Sequence, residues 1–151
     1  MRASCRFAMA LHVLAVLAYR DGENVSSSAL AGSVNTNPVI IRRLLLALQA
    51  AGIVQSRKGR GFGSQLCRAP GRINLAEVYR AVEGAVPFSR PRRRPNSACP
   101  IGAGIEAAME RVFCSAQQAL EHELARTSLA EVLQAACGSV RSVRLRTYRV
   151  I

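Results

Sequence analysis

The spacing of apolar positions changes several times along the chain, and each change marks an element. Over residues 4–20 nearly every side of a helix would be apolar (Phe7, Met9, Leu11, Val13, Leu14, Val16, Leu17), which predicts a first helix buried on more than one face. After the turn Asp21-Gly22, Ser26 is placed as an N-cap for a short helix ending at Ser33, with Leu30 and Val34 inward. Asn35 to Asn37 break that helix. Asn37 then caps a longer one with Pro38 at its first position, where a missing N–H costs nothing, and it ends at Ala51 before Gly52. On this helix Ile41, Leu44, Leu45 and Leu48 repeat at i, i+3, i+4, i+7, while Val39, Arg42, Arg43 and Leu46 take the opposite side.

Two short strands, 53–57 and 65–68, flank the loop Lys58-Gly59-Arg60-Gly61-Phe62-Gly63-Ser64, whose alternate glycines and cations predict a basic β-hairpin. Asn74-Leu75-Ala76-Glu77 has capping-box form and opens a helix to Glu83, stopped by Gly84. Pro87, Pro91 and Pro95, with Arg90, Arg92, Arg93 and Arg94 between them, exclude regular helix there and predict a linker. A helix over 101–126 follows, carrying Ile105, Met109, Val112, Ala116, Leu120 and Leu124 at intervals of three and four. At ~1.5 Å per residue it is a rod nearly 40 Å long. The chain has too little else to cover its seam, so Ile105, Met109, Val112, Ala116 and Leu120 are expected to form a homodimer interface. Ser128-Leu129-Ala130-Glu131 caps a last short helix ending at Gly138. The expected fold is mainly α with a small β wing, a winged helix-turn-helix domain plus a long C-terminal dimerisation helix. Its divisions are 1–84 for DNA binding, 85–99 as Pro/Arg-rich linker, 100–137 as dimerisation helices and 138–151 as a basic tail.

Charge sharpens this picture. Twenty-one Lys and Arg against nine Asp and Glu give +12 over 151 residues, a balance that suits a polyanionic partner, with double-stranded DNA ahead of an anionic membrane surface. The apolar run 7–19 is interrupted by His12 and is shorter than the ~20 residues of a membrane span. Cys5, Cys67, Cys99, Cys114 and Cys137 are odd in number, widely spaced and without a C-x-x-C pair, which points to a reducing cytoplasm. Asp21, His12, His122 and Lys58 are in no recognisable nucleophile or metal arrangement, so no enzyme is expected. His12, inside an apolar helix, reads as a satisfied core residue.

Helix, turn, basic-faced helix and basic hairpin together match the parts by which a winged helix-turn-helix reads DNA: a helix in the major groove and a cationic wing on the backbone. Met1-Arg2 before an apolar helix, Asn37-Pro38-Val39-Ile40-Ile41-Arg42-Arg43-Leu44-Leu45, Ala51-Gly52-Ile53-Val54, the glycine loop, and Ile73 through Glu83 resemble the Rrf2 family of bacterial winged-helix repressors. Cys99-Pro100-Ile101-Gly102 and Leu124-Ala125-Arg126-Thr127-Ser128-Leu129 extend the resemblance to about residues 1–136. It implies a homodimeric transcriptional regulator of a roughly palindromic operator. Asn37, Val39, Arg42 and Arg43 would then meet DNA from the recognition helix, and Lys58 and Arg60 from the wing. Arg60 and Phe62 interrupt the unbroken glycine run usual in the family's wing.

Cluster-binding members use three cysteines between the DNA-binding domain and the dimer helix. This chain has only Cys99 there, so an iron–sulfur cluster is not expected, and the resemblance is to the cluster-free, YwnA-like branch. Cys99, at a helix start and near Arg92 to Arg94, is a candidate thiol sensor for an oxidant or small-molecule effector. Two other classes fit the same residues: a thiol-reactive sensing module with reduced DNA binding, and a basic membrane-surface protein inserting its first helix.

Overall fold

The computed structural model describes residues 4–57, 62–83, 93 and 95–140. In chain order the elements are α1 (Arg6–Tyr19), α2 (Ser27–Val34), α3 (Pro38–Ala50), β1 (Val54–Arg57), β2 (Gly63–Leu66), a 3-10 turn (Pro70–Arg72), α4 (Leu75–Glu83), α5 (Pro100–Ala125) and α6 (Leu129–Val140). The architecture is mostly helical, with one two-stranded hairpin as wing and one long C-terminal helix.

The core forms around α1, as its near-continuous apolar surface requires. Ala10, Val13, Leu14 and Leu17 are buried, and α1 packs against α2, α3, α4, α6 and β2. The α3 stripe Ile41, Leu44, Leu45 and Leu48 completes the core from one side, and Ile73, Val78 and Val82 from another. His12, expected inside, is exposed, and its Nε2 lies 3.2 Å from Ser33 Oγ, joining α1 to α2 at the surface. Its position falls on the one strip of α1 that the other helices leave uncovered.

The second strand starts two residues earlier than the apolar pattern suggests, at Gly63 and not at Gln65. The cause is pairing on both edges of Ser64. This residue faces Ser56 across the antiparallel hairpin, and on its other side it exchanges backbone hydrogen bonds with Val25 (Ser64 N–H to Val25 O 2.9 Å, Val25 N–H to Ser64 O 3.0 Å). Gly63 has φ +145, and a Cβ there would sit 2.7 Å from the Asn24 carbonyl carbon, so only glycine lets the strand pass the α1–α2 connection this closely.

Two capping boxes meet where the chain returns from the long helix. Glu77 N–H donates to Asn74 Oδ1 (3.0 Å), and Ser128 N–H donates to Glu131 Oε2 (2.6 Å). Their backbones pair directly, Leu75 N–H to Thr127 O at 3.0 Å and Leu129 N–H to Ile73 O at 2.8 Å, which sets the starts of α4 and α6 side by side. The Ser128 backbone N–H, followed by its hydroxyl, holds the Glu131 carboxyl below the usual range. The α6 helix continues through Gly138 to Val140, beyond the expected stop. An interior glycine costs only about 1 kcal/mol relative to alanine, too little to end a helix by itself.

Leu129, after the long helix in sequence, is fully buried in the core of the first four helices. Replacing Leu129 by Ala is expected to destabilise the protein by about 2–5 kcal/mol. Urea unfolding would read this as a lower midpoint at unchanged slope, and an unchanged midpoint would mean that α6 does not contribute to this core.

Candidate nucleic-acid interface

The helix-turn-helix is built from local capping. Ser26 Oγ accepts from Ala29 N–H (3.1 Å) to start α2, and Asn35 ends it in the left-handed conformation (φ 56), a geometry that asparagine tolerates better than most residues. Asn37 then opens α3, its Oδ1 accepting from Val39 N–H at 2.8 Å, with Pro38 in the first turn. The side-chain oxygen of Asn37 is therefore committed to the cap. Its amide NH2 remains as a hydrogen-bond donor at the start of α3.

With the apolar stripe of α3 buried, the outer face presents Val39, Arg42, Arg43 and Leu46, all exposed, Leu46 to 67%. Val39, Arg42 and Leu46 lie at i, i+3 and i+7, a line of apolar contact with a guanidinium between. Such a line can meet thymine methyls and guanine edges in a major groove. Ser56 Oγ and Ser64 Oγ, 2.9 Å apart, tie the base of the hairpin, and Phe62 is exposed at its end. Lys58 and Arg60 lie outside the described residues.

The electrostatics follow from where carboxylates are placed. Between Asn24 and Ala76 the chain has no Asp or Glu. Among the described residues, ion pairs join Arg20 to Glu23, Arg68 to Glu77, Arg80 to Glu121 (3.3 Å) and Arg126 to Glu123, whereas Arg42 and Arg43 have no carboxylate partner. Arg20, Arg68, Arg80 and Arg126 are thus neutralised within the fold, whereas Arg42 and Arg43 keep their charge toward solvent.

Behind this surface α4 connects α1 to α5. Phe7 N–H donates to Glu83 Oε1 (2.9 Å), and the Phe7 and Tyr79 rings meet edge to face at 5.5 Å. Burial, then the negative charges of Glu83 and Glu121, raise the Tyr79 hydroxyl pKa. On α5 the part-buried positions Phe113, Gln117, Glu121 and Leu124 form a stripe along the helix, and Glu121 meets α4 through Arg80. The adjoining stripe remains open to solvent: Met109, Val112, Ala116 and Leu120 are exposed, Val112 to 64%, and Ile105 is partly covered.

Cys99 is exposed at the N-cap of α5. Asn96 shapes the approach, its Oδ1 accepting from Ala98 N–H (2.9 Å) and its carbonyl from Cys99 N–H (3.1 Å). That carbonyl lies directly over Gly102, where any Cβ would collide with it, which explains the glycine in Cys99-Pro100-Ile101-Gly102. The backbone N–H groups of Gly102, and then of Ile101, lower the Cys99 thiol pKa.

A two-helix turn with an exposed, unneutralised second helix and a flanking hairpin defines a winged helix-turn-helix DNA-binding regulator. The chain belongs to the Rrf2 family, described as iron-dependent transcriptional regulators, which it matches over residues 3–135. It is similar to YwnA of Bacillus subtilis (strain 168), named as an HTH-type transcriptional regulator, at 41% identity over 128 residues, 85% of this chain and 94% of YwnA. A crystal structure of a protein described as DNA-binding superposes with a TM-score of 0.69 at 40% identity, covering 85% of this chain and 98% of that one. T. potens IscR, at 21% identity and TM-score 0.66 over 98% of this chain and 95% of its own, shares the fold.

The family's description as iron-dependent invites a test against the residues present. Among the described residues no group of three or more His, Cys, Asp or Glu side chains is placed to hold a metal. The five cysteines are exposed on separate segments: before α1, after β2, before α5, within α5 and within α6. Cluster ligation needs several thiolates converging on one point, and this arrangement does not fit it.

The cap gives a direct test of how α3 is held. Asn37→Ala should cost about 1 kcal/mol through loss of the Val39 N–H acceptor, seen as a lower thermal midpoint with unchanged helix content. A midpoint equal to wild type would mean that Pro38 alone sets the start of α3.

Proposed function

We propose that the protein is a homodimeric, sequence-specific transcriptional repressor of the cluster-free, YwnA-like branch. Each protomer lays α3 into the major groove of one half of a roughly palindromic operator. The observation that carries this reading is the outer face of α3, where Arg42 and Arg43 stand without carboxylate partners beside exposed Val39 and Leu46. Arg42 and Arg43 reach base edges or adjoining phosphates, the Asn37 amide reaches the phosphate at the helix start, and Lys58 and Arg60 extend the contact from the wing. The open stripe of Ile105, Met109, Val112, Ala116 and Leu120 joins two protomers, which spaces the two recognition helices to half-sites about one helical turn apart. A dimer seated on a promoter represses by occupying it. The membrane-surface alternative loses its inserting element, because Ala10, Val13, Leu14 and Leu17 are committed to the core. No helix among the described residues is long and apolar enough to cross a membrane.

The experiment is selection from a randomised duplex pool, followed by affinity measurements on the selected and an unrelated duplex. Binding should weaken steeply with salt, since each neutralised phosphate contributes ~0.9 to the log-log slope. Arg42→Ala should relax sequence preference at one position by about 1–3 kcal/mol. Met109→Glu with Val112→Glu should place unpaired charges in the seam and give monomer that binds half-sites weakly. An unchanged dimer in sedimentation, or salt-insensitive binding, would overturn the respective assignment.

A second reading concerns the effector. Cys99 is exposed, and the N-terminus of α5 favours its thiolate, so an oxidant or electrophile would react there first and alter how α5 is held at its start. Cys99 is expected to be alkylated faster than the other four cysteines at neutral pH, with DNA release following modification in wild type and not in Cys99→Ser. Equal release from both proteins at the same oxidant dose would rule out thiol sensing at this position.

A further inference from the structure

The first turn of α1 and the outer side of α3 enclose a shallow cleft of ≈ 250 Å³ lined by Arg6, Ile40, Arg43 and Leu44. Two arginines from different elements thus line one space together with Leu44, which is buried, and Ile40, which is 40% exposed. In sequence Arg6 directly precedes the apolar run 7–19; the fold brings it to the flank of α3. Among the described residues neither Arg6 nor Arg43 has a carboxylate partner. Glu83, the carboxylate that reaches the start of α1, accepts from the Phe7 backbone N–H. Holding two like charges at one cleft without a counter-charge is unfavourable, and an anion shared between them removes that cost. The cleft is smaller than the roughly 300–1,000 Å³ of sites that enclose drug-sized ligands, and it is open, as suits one tetrahedral oxyanion on a larger molecule.

We infer that Arg6 and Arg43 form a clamp for one phosphodiester of the DNA backbone at the edge of the groove that α3 enters. The inference rests on the DNA-binding reading above and divides its labour. Arg43 turns to the backbone with Arg6, and Arg42, on the Val39–Leu46 line, is left to read bases. Guanidiniums suit the task because each offers parallel N–H donors to phosphate oxygens.

The test uses the full-length protein with the duplex selected from the random pool and an unrelated duplex of equal length. Arg6→Ala should weaken binding to both by the same factor and flatten the salt dependence by up to about 0.9 in slope per protomer, the value for loss of one whole phosphate contact. Arg6→Lys, which keeps the charge, should recover most of that slope. Arg6→Gln, which keeps the aliphatic stem, serves as a second neutral variant should Arg6→Ala misfold. If both arginines hold one phosphate, the double variant with Arg43→Ala should lose less than the product of the two single factors. Wild type binding with an Arg6→Ala or Arg6→Gln slope unchanged would overturn the clamp and leave the DNA-binding reading intact. A loss confined to the selected duplex would also overturn it, since that is base reading. Wild type binding no duplex would overturn both. A third arm titrates inorganic phosphate at matched ionic strength and follows the arginine side-chain NMR signals. Saturable binding that depends on Arg6, together with an unchanged DNA slope, would assign the cleft to a free anion and overturn the clamp.

Discussion

A helix whose Ala10, Val13, Leu14 and Leu17 are all withdrawn from water must be surrounded, and the rest of the molecule is arranged to surround α1. The neighbours α2 and α3 cover one side, α4 another, and β2 the edge beside the wing. The position of α3 is therefore defined relative to α1. So is the end of the long helix, because α6 returns to the same core through Leu129 and pairs its first residues with those of α4. The helix with the open apolar stripe and the helix with the exposed arginines are referenced to one rigid element. Side-chain contacts through Phe7, Glu83, Tyr79, Arg80 and Glu121 join α1 to α5 by way of α4.

Charge is distributed to match. Carboxylates are absent from Asn24 to Ala76, while α4, α5 and α6 carry glutamates that cap helices or pair with arginines. The surface formed by α3 and the start of α1 keeps its positive charge because, among the described residues, no carboxylate pairs with Arg6, Arg42 or Arg43. A cationic patch of this kind steers a polyanion at long range, and the apolar side chains within it provide contacts only at short range.

Most of this architecture was legible in the sequence, for a reason that lies in local physics. Caps, proline at a first helical position, glycine stops and the spacing of apolar residues act over a few residues, so Asn37-Pro38, Asn74 with Glu77 and Ser128 with Glu131 announce their helices directly. The apolar stripe of α3 and its exposed opposite face followed from periodicity, and with them Val39, Arg42 and Arg43 as outward residues. The scatter of five cysteines over separate segments was equally plain, because thiols so far apart in a helical chain rarely converge.

Other features depended on contacts between residues distant in sequence. The start of β2 at Gly63 is set by Val25, some forty positions earlier, pairing with Ser64. The exposure of His12 is set by which strip of α1 the other helices leave uncovered. Gly102 is required because the Asn96 carbonyl lies over it, and α6 runs past Gly138 because one glycine is too weak a breaker. The placement of Arg6 beside Arg43 comes from α1 crossing α3, a packing event with no trace in either segment alone. Local propensity and periodicity are written in neighbouring residues and so determine which elements form and which face each buries. Which two distant faces come to share a cleft is decided only when burial of apolar surface chooses one packing among those that the elements allow.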